Sequence, residues 1–159
     1  MALILWSNDY SVGIEALDAD HIVVASLINL IDDAKQGGSD EAAVGRVLKV
    51  LVDHAYAHFR REEAFLEEHG YPHLEQHRQE HRLLADQLRE LHQDYERTPD
   101  PAISREIMEL LNYWLVEHIL KVDMHYKAFL ADKPVEDSPL RPVSNSRQTA
   151  SDLKTEKRQ

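Results

Sequence analysis

The sequence predicts an all-α fold, an up-down-up-down antiparallel four-helix bundle with an N-terminal arm and a disordered C-terminal tail, and three observations predict it. Apolar residues recur three and four apart through long stretches, the spacing of a single buried stripe on a helix rather than of a strand. Glycine and proline cluster at only a few places: QGGSD at 36–40, HGYP at 69–72, TPDP at 98–101 and the segment after Ala131. The connections between the four helix-length segments are short, which makes successive helices antiparallel neighbours.

The elements follow in order. After a leader that contains Trp6, the first helix carries the stripe Leu17, His21, Val24, Ile28, Ile31. The second carries Val44, Leu48, Leu51, Ala55, His58, Glu62, Phe65, and Gly70 fits just past its end, where a left-handed residue closes a helix. The third carries Leu74, His77, His81, Leu84, Leu88, Leu91, Tyr95. The fourth carries Ile103, Ile107, Leu111, Trp114, His118, Val122, with Asp100 as N-cap and Pro101 at the first helical position, where its missing N–H costs nothing. Polar residues interrupt each stripe. The bundle is expected to occupy residues 1–131; from 132 to 159 the chain has no periodicity and few large apolar residues, so a disordered tail is expected there.

At 159 residues the chain suits one domain, a size that buries roughly two-thirds of the surface an unfolded chain exposes. It has no cysteine, which excludes disulfides, thiolate ligands and iron–sulfur clusters and leaves nitrogen and oxygen to hold any metal. The formal net charge is -11, and residues 1–131 hold twice as many acids as bases, so phosphate backbones are repelled and no nucleic-acid partner is expected. The opening MALILWSNDY has only a short apolar run and no basic side chain, unlike a secretory leader. The longest uncharged apolar run, HIVVASLINLI, is too short to span a bilayer, so no membrane insertion and a cytoplasmic location are expected.

Ten histidines are many for this length, and five of them fall on core stripes. Buried imidazoles and a buried carboxylate must find partners, and a shared metal would supply one. The topology places them together: His21 is early in the first helix, His58 and Glu62 late in the second, His77 and His81 early in the third, His118 and Asp123 late in the fourth. Antiparallel packing brings all seven to one level. His58/Glu62 and His77/His81 are spaced i, i+4, so each pair presents two ligands from one face. His118 and Asp123 are five apart, an offset of about 140° on a regular helix, so Asp123 must reach inward from a flank or the helix must bulge. A lone histidine on an apolar face is usually hydrogen-bonded core filler; the combination across four helices is what points to a metal.

The segments HFRREE at 58–63, YPHLEQHRQEH at 71–81, WLVEHILKVD at 114–123 and the leader WSNDYSVGIEALDADH at 6–21 resemble the hemerythrins, in particular their single-domain bacterial members, over about residues 6–130. The resemblance implies a non-haem di-iron centre with two oxo- or hydroxo-bridged iron ions, ligated by His21, His58, Glu62, His77, His81, His118 and Asp123. It implies that His77, His81 and His118 saturate one iron, that His21 and His58 leave the other an open position, and that Glu62 and Asp123 bridge. Val24, Phe59, Trp114, Leu115 and Ile119 match the oxygen pocket, and Trp6 and Tyr126 an outer packing shell. Two departures stand out: Asp20 where the family usually has glutamine, and Val24 where a larger leucine commonly stands, which implies a roomier pocket.

The function implied is reversible dioxygen binding, as carrier, store or delivery protein, rather than enzymatic turnover; an oxygen-consuming enzyme is the protein partner such a role calls for. Two alternatives belong to other classes. A ferritin-like oxidase or peroxidase would use an ExxH pair on two helices, and no ExxH occurs in the chain. An oxygen or redox sensor or iron-handling module would be expected to carry an output domain, and only a short segment follows the bundle. His54 and His73, one turn before His58 and His77, are candidates for hydrogen bonds to ligand imidazoles; His69, His92 and His125 read as solvated or helix-end residues.

Overall fold

A computed structural model describes residues 4–131, so the expected tail at 132–159 lies outside the described residues. Among the described residues, four long helical rods form the bundle. Helix α1 spans Glu15–Gln36, α2 Glu41–Glu68 and α3 Leu74–Arg97. The fourth rod is composite: α4 at Pro101–Tyr113, a π-helical stretch at Trp114–Asp123, and α5 at Met124–Leu130. Packing runs α1 on α2, α2 on α3, α3 on α4, and the fourth rod closes back against α1, as the short connections require.

Local chemistry sets the boundaries. Asp40 caps α2 by accepting from the Ala43 amide at 2.7 Å, and Asp100 caps α4 by accepting from the Ala102 amide at 2.7 Å, with Pro101 in the first turn. α2 stops at Gly70, whose φ of 67° lets the Tyr71 amide reach back to the Leu66 carbonyl at 3.0 Å. Gly45 serves a different purpose, since a Cβ there would stand 3.1 Å from Cε1 of Tyr95. That contact lets the Tyr95 hydroxyl donate to the Glu41 carbonyl at 2.6 Å, tying the end of α3 to the start of α2.

The stripes fall inward as expected except at the end of the fourth, where the π stretch buries Asp123 and leaves Val122 half-buried on the wall of an outer cavity. Ile28 and Ile31 of α1, Val44, Leu48 and Leu51 of α2, Leu88 of α3, and Ile107 and Leu111 of α4 are buried and fill one half of the bundle with hydrocarbon, while Leu17 is buried at the opposite end. The other half has the polar seam. An arm preceding α1, with a short 3₁₀ turn at Asn8–Tyr10, covers this end. Asp18 pins it by accepting from Ser11 Oγ at 2.6 Å and from the Val12 amide at 2.8 Å, and Lys127 Nζ donates to the Ser11 carbonyl at 2.7 Å. The Trp6 ring is thereby held 6.2 Å from that of His21.

Candidate metal centre

Burial is the first fact about the seam. His21, His58, Glu62 and Asp123 are fully buried, and His77, His81 and His118 nearly so. The four rods contribute as the antiparallel topology requires: α1 brings His21, α2 brings His58 and Glu62, α3 brings His77 and His81, and the π stretch brings His118 and Asp123.

The π stretch resolves the five-residue spacing. In a ladder that runs i→i+5, a residue five positions on closes roughly one turn, so Asp123 returns to the face of His118 instead of standing a third of a turn away. Asp123 Oδ1 lies 3.1 Å from His118 Nε2. Of the two routes open from sequence, a flank or a bulge, the structure uses the bulge.

Three sets of donor atoms converge within ligation range of one another: His77, His81 and His118; His21, His58 and Glu62; and Glu62, His77 and Asp123. The carboxylates lie between the histidine groups. Asp123 turns Oδ2 toward His21 Nε2 at 3.7 Å and Oδ1 toward His77 Nε2 at 3.5 Å and His118. Glu62 places Oε2 2.9 Å from His58 Nε2 and 3.6 Å from His81 Nε2, and Oε1 3.3 Å from His77 Nε2. His21 and His58 bring their Nε2 atoms to 3.0 Å.

Both oxygens of Glu62 and Asp123, and the Nε2 atoms of His77, His81 and His118, are buried with no hydrogen-bond partner. Buried polar atoms without partners cost several kcal/mol together, and so many in one place require a common ligand. A cation fits, because every atom concerned is a nitrogen or carboxylate oxygen donor, the set that suits non-haem transition metals.

The electrostatics of the protein alone agree. Burial and the neighbouring His58 push the His21 imidazole down to about 3, burial pushes His81 down to about 4, and burial also lowers His118, so these rings stay in the neutral, ligating form. His58 runs the other way. Burial lowers it, but the carboxylates of Asp20 and Glu62 outweigh burial and raise it to about 9. Burial and the charge of Glu62 push Asp123 well up, whereas for Glu62 the nearby His58 and His77 overcome burial and hold the carboxyl well down. Two anions share this volume only with positive charge beside them, which a protonated His58 or a bound cation supplies.

Around the seam lies an outer set of carboxylates that sequence reasoning did not assign. Asp20 faces His58 Nδ1 at 3.1 Å and is gripped by Arg61, whose Nε and Nη2 donate at 2.8 and 2.6 Å. Glu63 Oε1 lies 2.8 Å from His81 Nδ1, and Glu80 Oε2 3.4 Å from His118 Nδ1. Each fixes which ring nitrogen points inward. Asp20 was visible as a departure next to His21; Glu63 and Glu80 reach across to other helices and gave no local signal. His54 does not meet a seam imidazole but lies 3.2 Å from the Asp20 backbone carbonyl. His73 forms no such bond, packing edge-on against Tyr71 instead. His69 is a helix-end residue, its Nδ1 2.8 Å from the Phe65 carbonyl.

The expected pocket residues Val24, Phe59, Trp114, Leu115 and Ile119 are all buried. The Phe59 ring stacks on His81 at 4.3 Å between centroids and meets Trp114 edge-on at 5.3 Å, and Trp114 lies 5.8 Å from His58. Tyr126 is fully buried 5.7 Å from the His77 ring. Among the described residues no helix is long and apolar enough to cross a membrane.

Comparison with known proteins meets this geometry. The model of the hemerythrin HHE cation binding domain matches residues 12–130. A bacteriohemerythrin of Pseudomonas paraeruginosa is 33% identical over 126 residues, covering 79% of this chain and 80% of the relative. One from Methylococcus capsulatus is 26% identical over 127 residues, 79% of this chain and 95% of the relative. Among solved structures, a hemerythrin with a leucine-to-alanine substitution superposes with a TM-score of 0.74 at 26% identity, over 82% of this chain and 99% of its own. With buried histidine and carboxylate clusters suited to a pair of metal ions at its centre, the chain belongs to the hemerythrin family.

Proposed function

We propose that the protein binds dioxygen reversibly at a non-haem di-iron centre and serves as an oxygen carrier, store or delivery protein rather than as an enzyme. The observation that carries the reading is the placement of Glu62 and Asp123, each between a group of three histidines and a group of two. Two carboxylates so placed suit bridges between two metal ions. In this reading His77, His81 and His118 would hold one iron and His21 and His58 the other, with Glu62 and Asp123 shared between them. When bound, a ferrous pair supplies two one-electron reductants and an open coordination position.

The rest is done by the chain. Asp20, Glu63 and Glu80 hold the Nδ1 edges of His58, His81 and His118, so that Nε2 is the atom presented to a metal. Phe59, Trp114, Leu115, Ile119 and Val24 wall the seam with hydrocarbon and exclude water, which slows proton delivery and irreversible oxidation. The net acidity of the chain favours a small neutral ligand over a polyanion.

Anaerobic ferrous reconstitution with iron counted per chain, followed by optical spectra on adding dioxygen and on removing it under argon, tests the reading. Two irons and a charge-transfer band that appears with dioxygen and leaves with it are expected. Irreversible oxidation with sustained turnover of a reductant would replace the carrier by an enzyme, and a chain holding no iron pair would remove the centre altogether.

A further inference from the structure

Among the described residues, a pair of cavities that touch seam histidines differ in charge. One, of about 530 Å³, lies between α2 and α3 and touches Phe59 and His81; Lys49, Arg60, Arg82 and Arg89 line it against Asp53, Glu63 and Glu96. The other, of about 300 Å³, lies between the start of α3 and the end of the π stretch, and its inner wall includes His77. Among the described residues no lysine or arginine lines this second cavity. Its walls carry His73, His125, Gln76 and Glu80, all of them metal donors.

We propose that this second cavity is the loading port of the metal centre, where His73, His125 and Glu80 capture a hydrated divalent cation and pass it to His77. The inference rests on the metal-centre reading above and concerns how the metal arrives. A divalent ion must exchange water for protein donors one at a time, and a centre whose own donors are almost fully buried cannot begin that exchange. The cavity supplies the intermediate donors. His73 stands one turn before His77 on α3, and His125 two residues after Asp123, so both lie on the outer side of the three-histidine group. Glu80 lines the cavity while its Oε2 lies 3.4 Å from His118 Nδ1, and among the described residues it is the acidic side chain of that lining.

Both histidines are exposed, and among the described residues neither imidazole forms a hydrogen bond or an ion pair, His73 meeting only the edge-on ring of Tyr71. His73 occupies the N-cap position of α3 without making a side-chain cap, so its removal costs the helix no bond. The α2/α3 cavity, by contrast, sets four basic side chains against three acidic ones and so offers a metal ion no net attraction, although it admits a neutral gas.

The test uses the full chain, stripped of metal, and cobalt(II) alone as the probe. Uptake is followed by the growth of its visible absorption, and release by its loss to an excess of EDTA. The double variant His73→Ala, His125→Ala leaves every seam residue in place. It should load roughly 10-fold more slowly than the parent and release more slowly by a similar factor, with the final cobalt count and spectrum unchanged. A route that speeds arrival speeds departure, because it lowers one barrier crossed in both directions. Parental rates in both directions, in a variant with the parent's melting temperature, would overturn the port alone. A parent chain that takes up no cobalt would overturn the port and the metal centre together.

Discussion

Replacing Asp20 by Asn tests how much the outer carboxylates contribute. The Asp20 carboxylate accepts two bonds from Arg61 and faces His58 Nδ1, so the change removes the charge while keeping the shape. Burial pushes this carboxyl up, yet His58 and Arg61 outweigh burial and bring it from 3.8 down to about 2. That drop corresponds to about 2.4 kcal/mol in the metal-free protein. Arg61 is 37% exposed on its side chain and can rehydrate, which lowers the expected loss to about 1.5–2 kcal/mol. A depressed carboxyl stabilises the fold above its unfolded value and ceases to do so as pH falls through its folded value. The difference between parent and variant should therefore be full at neutral pH and shrink between 3.8 and about 2. Urea unfolding of metal-free protein at several pH values measures it. In the same variant the metal beside His58 should bind roughly 10- to 100-fold more weakly, read by cobalt titration against a competing chelator. Equal stability at neutral pH together with equal cobalt affinity would show that Asp20 neither anchors Arg61 nor orients His58.

Other sites give sharp expectations. Leu115→Ser puts a hydroxyl into a fully buried apolar wall. It should cost about 2–4 kcal/mol of stability and speed autoxidation severalfold while both irons are retained; an unchanged oxidation rate by optical spectroscopy would discard the role given to Leu115. Asp18→Ala removes the acceptor that pins the arm, so Trp6 should gain mobility, its fluorescence should shift red, and the fold should lose about 1–3 kcal/mol. Asp123→Asn separates stability from ligation: burial raises the Asp123 carboxyl, so the ionised group opposes folding at neutral pH, and the neutral amide does not. Metal-free Asp123→Asn should melt at or above the parent temperature while its metal count falls below two per chain, and a lower melting temperature would contradict that assignment.

Much of the fold was legible in the residues because helix formation and helix packing are periodic. The stripes from Leu17 to Ile31 and from Val44 to Phe65 carry their burial in their spacing, and Asp100–Pro101 and Gly70 mark boundaries through backbone chemistry that depends on those residues alone. The seam was legible for the same reason. Its histidines occupy stripe positions, and antiparallel order decides that early positions of one helix meet late positions of the next.

What local spacing leaves open was decided by contacts between distant residues. The five-residue step from His118 to Asp123 permits a flank or a bulge, and the choice of a π stretch follows from where the bundle needs Asp123 once His21 and His77 are in place. Asp20, Glu63 and Glu80 hold imidazoles that lie 38, 18 and 38 residues away, and no pattern on one helix records a partner on another. The sequence by itself determined the helices, their order and the residues facing inward, because periodicity and topology are properties of the chain read locally. Only the tertiary structure decided which carboxylates meet the outer nitrogens of His58, His81 and His118, and which cavities reach the seam histidines, because those depend on distances across the bundle.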